Sequence, residues 1–105
     1  AALSVSGFYA DKFLFLGYPP HKKGRKKFFA EISASQYPVV MYESVHRIIR
    51  TLQELSDFEE LKNLQIVVCR ELTKKFETIY RGTIEEIIPK IEKEKLGEFV
   101  VIVSR

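Results

Sequence analysis

Two rhythms of apolar and polar positions run through the chain. Val39-Val40-Met41 is an unbroken apolar run after Pro38, the pattern of a strand covered on both faces. Val45, Ile48, Ile49, Leu52 and Leu55 then recur at helical spacing, with Ser44 standing where an N-cap belongs. Upstream, Phe13 to Leu16 reads as a first strand ended by Gly17 and the Pro19-Pro20 pair, and Phe28, Phe29 and Ile32 mark a short helix. Downstream, Asp57 and Glu60 have capping-box spacing for a last helical turn, and Gln65 to Cys69 is a second buried run. Glu77 to Arg81 alternates like a half-exposed strand, and about six residues between the two suggest an antiparallel hairpin. Ile84, Ile87, Ile88 and Ile91 predict a helix opened by a Thr83–Glu86 capping box, interrupted by Pro89 and stopped by Gly97. Phe99 to Val103 closes the chain as a strand that belongs in the middle of a sheet. Ala1 to Ser6 reads as a helix tail capped by Gly7.

Strands alternating with helices predict an α/β domain, with a mixed, mostly parallel five-stranded sheet and helices on both faces. At 105 residues the chain is one domain, able to bury roughly two-thirds of its unfolded surface. A chain 46% hydrophobic and 30% charged is an ordinary globular one, and no apolar stretch approaches the ~20 residues of a membrane span. The single Cys69 lies in a strand-like run and reads as a reduced core residue, which fits a cytoplasmic location. The first residue is not Met, so the chain is expected to be a fragment of a longer protein.

Net charge is only +3, yet Lys22, Lys23, Arg25, Lys26 and Lys27 crowd one short stretch. Such a local patch suits a polyanion, holding a nucleic-acid backbone without reading its sequence; its plain alternative is a solvated loop. Metal chemistry is disfavoured, because His21 and His46 are far apart and there is one Cys. Ser44 and His46 are two positions apart and do not face one another on a helix, so a serine nucleophile is a weak reading. Neither Gly17 nor Gly24 belongs to a phosphate-cradling motif. In open α/β sheets ligands bind beside strand carboxyl ends, which directs attention to Tyr42, Glu43, Ser44 and His46. Arg70, Glu71, Leu72 and Thr73 follow the second buried run and belong either to a surface turn or to the same rim.

Five separated motifs occur in one order: Ser6-Gly7 with Phe13 to Gly17, Tyr42-Glu43-Ser44 with His46-Arg47, Arg70 to Lys74, Arg81-Gly82-Thr83, and Gly97 to Val100. Together they resemble the C-terminal half of the small-subunit ribosomal RNA methyltransferase I family, within the tetrapyrrole methylase superfamily. Val45 stands where that family usually has Pro, and Phe8-Tyr9-Ala10-Asp11 replaces its Leu-Pro-Thr-Asp.

The resemblance implies a two-domain enzyme that uses S-adenosylmethionine to methylate a cytidine ribose 2′-hydroxyl in small-subunit rRNA. It implies an N-terminal domain absent from this chain and a cofactor in the cleft between the two. Met41, Tyr42, Glu43, Arg70, Glu71, Leu72 and Thr73 would then form this half's part of the cofactor pocket, with Glu43 as candidate base or orienting group. Lys22, Lys23, Arg25, Lys26, Lys27, His46 and Arg47 would face RNA. No metal and no membrane is implied, and a homodimer stays open. The competing readings are a non-catalytic RNA-binding module with the same fold and a small-molecule tetrapyrrole methylase.

Overall fold

A computed structural model describes residues 12–73 and 75–104; the helix tail expected at Ala1 to Ser6 lies outside them. The chain runs β1 (Leu14–Gly17), α1 (Arg25–Ala34), β2 (Val39–Ser44), α2 (Ile48–Ser56), the single-turn α3 (Glu59–Lys62), β3 (Ile66–Leu72), β4 (Lys75–Gly82), α4 (Ile84–Ile91) and β5 (Glu98–Val103). The five strands form one sheet in the order β1-β2-β5-β3-β4, so β5 is central.

The α/β class holds, but two of its expected details do not. Only β1 and β2 pair parallel; β2–β5, β3–β5 and β3–β4 are antiparallel. Each strand–helix–strand connection still joins parallel strands, β1 to β2, β2 to β3 and β4 to β5. The β3–β4 hairpin reverses the direction of travel, and β5 then inserts between β2 and β3 and opposes both. The described helices, moreover, pack on one face only. Phe29, Ile32, Ile48, Leu52, Leu55, Leu61, Ile84 and Ile87 share a core with Met41, Val68, Phe99 and Val101. The opposite face carries Val40, Val67, Cys69, Val100 and Ile102, and no described helix packs on it. Handedness explains this. Crossovers of one hand that advance across the sheet on upward strands, and return across it on a downward strand, all pass over the same face.

Local chemistry moves several boundaries. The hairpin turn is tighter than expected: Leu72 pairs with Lys75, leaving two residues between them, and Thr73 takes φ 47°, as a two-residue hairpin loop requires. β3 therefore runs on through Arg70, Glu71 and Leu72. Ser44 does not cap α2; it remains in β2 opposite Glu98, and α2 starts at Ile48 after a turn. Asp57 closes α2, and Phe58 precedes α3 without a side-chain cap, so the Asp57–Glu60 box is absent. The Thr83–Glu86 box does form, with the Thr83 N–H donating to Glu86 Oε1 at 2.9 Å and the Glu86 N–H to Thr83 Oγ1 at 3.3 Å. Gly97 stops no helix, since α4 ends at Ile91; it introduces β5.

Candidate functional site

The carboxyl ends of β1, β2 and β3 meet the amino end of β5 at one end of the sheet. Gly17 pairs with Met41, while Ser44 and Glu71 flank Glu98 from either side. The strands leading into Tyr42 and into Arg70 are thus not neighbours. They lie two strand spacings apart, about 9.5 Å, with β5 between them, and both end at this rim. The exposed Lys22, Lys23, Lys26 and Lys27 follow β1, and the exposed His46 follows β2, so the topology brings them to the same end.

Strand alternation sorts the rim into two sides. Glu43, Phe99 and Arg70 stand in register and point into the helical layer. Glu43 is wholly buried, 0% exposed. Its Oε2 accepts from Thr51 Oγ1 at 2.6 Å and its Oε1 from the Ser44 N–H at 2.9 Å, while Arg47 Nε lies 3.3 Å from Oε1 without hydrogen-bond alignment. Thr51 Oγ1 accepts in turn from Arg25 Nη2 at 3.1 Å. Arg25, only 4% exposed, also donates from Nη1 to the Pro20 carbonyl at 2.6 Å and from Nη2 to Glu54 at 2.7 Å, with Phe29 beneath its guanidinium. That hydrogen bond holds the Glu54 carboxyl below the usual carboxylate range.

Arg25 and Glu43 therefore belong to an internal network that ties the basic loop to β2 and α2. Arg25 does not face solvent beside the lysines, and Glu43 meets no open surface from which to act as a base. Met41 is likewise buried under the helices. Arg70 donates from Nε to the Leu96 carbonyl at 2.9 Å and approaches Glu94, whose other oxygen accepts from the Tyr80 hydroxyl at 2.7 Å, so it braces the loop before β5. Leu72 is half-buried and Thr73 exposed at the hairpin turn.

The other side of the rim joins Tyr42, singled out from the sequence, to partners that its local pattern does not reveal. Tyr42 (39% exposed), Phe15 (54%) and Tyr18 (50%) form an aromatic cluster, with ring centroids 5.2 Å apart for Phe15–Tyr42 and 5.6 Å for Tyr18–Tyr42. The Tyr18 hydroxyl donates to Glu98 Oε1 at 2.7 Å. Glu98 lies within the Gly97 to Val100 motif, but 80 positions separate it from Tyr18 and no local pattern joins them. That hydrogen bond, reinforced by burial and the Glu98 charge, pushes the Tyr18 pKa up to about 12. Because the folded pKa is raised from 10, the bond's contribution is complete below about pH 10 and is lost as pH rises through 12. The difference in phenolate absorbance between the wild-type chain and Tyr18→Phe is expected to rise near pH 12; a rise centred at pH 10 would exclude the bond in solution.

Burial pushes the Cys69 thiol up and leaves it an unreactive core group on this same face. Among the described residues no group of three or more His, Cys, Asp and Glu gathers as for a metal ion, and no helix is long and apolar enough to cross a membrane. A cavity of about 160 Å³ lined by Ser56, Lys62, Ile84, Glu85 and Ile88 lies toward the opposite end of the sheet, where β4 ends and α4 begins.

The model of the tetrapyrrole (corrin/porphyrin) methylases matches residues 1–88, and the chain belongs to that family. Within it the chain is similar to curated proteins named ribosomal RNA small subunit methyltransferase I. It is 33% identical over 105 residues to the one from Thermotoga maritima, covering 99% of this chain and 46% of that relative. For those of Neisseria meningitidis serogroup B and Bacillus subtilis the identities are 37% and 36%, covering 97% and 98% of this chain and 36% and 35% of the relatives. The chain thus spans less than half the length of the curated relatives it matches.

Proposed function

We propose that this chain is the C-terminal half of a two-domain methyltransferase acting on small-subunit rRNA, with S-adenosylmethionine as methyl donor and a cytidine ribose 2′-hydroxyl as acceptor. The observation that carries the reading is a likeness to rRNA methyltransferases that runs the length of the chain at 33–37% identity. The donor, when bound, supplies an electrophilic methyl group. The rim suits such a group: the aromatic rings of Tyr42 and Tyr18 and the carboxylates of Glu71 and Glu98 match a cationic nucleoside without phosphates, for which no glycine-rich cradle is needed.

In this reading Lys22, Lys23, Lys26, Lys27, His46 and the partly exposed Arg47 hold the RNA backbone, and Tyr42 and Glu71 line the cofactor wall. The buried Arg25–Thr51–Glu43 network keeps the basic loop and the β2 end in fixed relation. Its contribution is to hold the rim on which the reactants meet; lining up the ribose hydroxyl with the donor methyl can, in favourable cases, lower a two-body barrier by about 7 to 11 kcal/mol.

The test uses the full-length protein with isotopically labelled S-adenosylmethionine and small-subunit RNA, digested to nucleosides afterwards. Label in 2′-O-methylcytidine is expected; label on a base, or none, overturns the reading. Replacing the four lysines by glutamine is expected to flatten the salt dependence of RNA binding, by about 0.7 to 0.9 in the log–log slope for each phosphate no longer neutralised. An unchanged slope would turn those lysines into a solvated loop and favour a small-molecule methylase.

A further inference from the structure

Glu98 occupies the centre of the rim, at the amino end of the central strand, with β2 and β3 ending on either side of it. Three features there are costly for a merely structural surface. Glu71 stands directly opposite Glu98 in the β3–β5 register, a like-charge cross-strand pair of the kind that destabilises sheets. Ser44, opposite Glu98 on the other flank, has a hydroxyl shielded from solvent with no hydrogen-bond partner among the described residues. Beside them, Phe15, Tyr18 and Tyr42 leave aromatic rings exposed in mutual contact. Departures from local rules that coincide at one place mark a site that serves something other than stability.

The chemistry of the set selects its ligand. Carboxylates beside exposed aromatic faces attract a cation and repel phosphate. We infer that Glu98, braced by the Tyr18 hydroxyl, contacts the positively charged part of a sulfonium nucleoside, with the Tyr42 and Phe15 rings as the adjoining surface. This rests on the methyl-transfer reading above and deepens it, assigning to Glu98 the recognition of donor charge. Gly97 fixes the residue in place: a Cβ there would lie 2.9 Å from the Glu71 carbonyl oxygen, so the backbone of β5 enters the sheet pressed against β3.

The experiment is calorimetric titration of the full-length protein with two ligands that differ by one charge: S-adenosylmethionine, a sulfonium, and S-adenosylhomocysteine, a neutral thioether. Glu98→Gln is expected to weaken binding of the sulfonium about tenfold or more and binding of the thioether by much less. Its melting temperature should change little, because relief of the repulsion from Glu71 offsets the weaker bond from the Tyr18 hydroxyl. Tyr18→Phe, which keeps the carboxylate and removes its brace, should show the same ligand preference at smaller amplitude. Glu59→Gln, on α3 of the helical layer, should bind both ligands as the wild type does. Equal losses for the two ligands, unchanged affinities, or a fall in melting temperature that tracks the loss of binding would each overturn the inference. A wild-type protein that takes up neither ligand overturns the methyl-transfer reading and this inference with it. Wild-type uptake matched by Glu98→Gln overturns the inference alone.

Discussion

Glu43→Ala is expected to lower the unfolding free energy of the chain by about 3 to 5 kcal/mol, the range for removing one member of a buried charge network. The Glu43 carboxylate is shielded from water and accepts from both Thr51 and the Ser44 N–H. Deleting it leaves Thr51 facing Arg25 with no acceptor behind it, and leaves Arg47 beside an empty space. Against a total stability of about 5 to 15 kcal/mol for a domain of this size, that is a large share. The melting temperature should fall by roughly 15 °C or more. Glu43→Gln keeps the shape and one accepting oxygen, so its loss should be smaller. The pair of variants separates position from chemistry. If the full-length Glu43→Gln protein turns over normally while folded, Glu43 acts by holding the β2 end. A Glu43→Ala loss under about 1 kcal/mol would mean that the network in solution is not closed as described.

Gly97→Ala should cost about 2 to 4 kcal/mol, from a backbone angle that side chains rarely adopt and from steric overlap with β3. Gly97 takes φ 114°, and an added Cβ would meet the Glu71 carbonyl oxygen at 2.9 Å and the Arg70 Cγ at 3.3 Å. Backbone cannot swing aside as a flexible side chain can, so the entry of β5 must shift. Gly17 is the internal comparison. It too has positive φ, 68°, but nothing lies within 4 Å of its missing Cβ, so Gly17→Ala should cost about 1 kcal/mol. Urea midpoints of the two variants give the contrast directly. A Gly97 variant no less stable than the Gly17 variant would show that β5 can relax away from β3.

Much of the local order is legible in residues a few positions apart. The Thr83–Glu86 box, the isoleucine stripe of α4 and the apolar runs of β2, β3 and β5 each carry their signal within one element. Other local signals mislead. Ser44 has the look of an N-cap because Val45 continues the helical spacing, yet cross-strand pairing with Glu98 holds it in β2. Arg25 reads as one of five equivalent basic residues, and nothing within the stretch from Lys22 to Lys27 distinguishes it. Glu54, 29 positions away, is what draws it inward.

By itself, then, the sequence determined the class, the number of strands, most helix positions and the membership of the family, because those follow from periodicity and from motifs in order. Tertiary structure decided how the strands are arranged and which polar groups reach the surface. The hairpin reversal sends β5 between β2 and β3, and crossovers of one hand place every described helix on one face. That single arrangement buries Glu43 and Arg25 on one side of the rim and leaves Glu98 and the aromatic rings on the other. Such outcomes rest on pairings between strands distant in the chain, where the energy of closing the sheet outweighs any local preference.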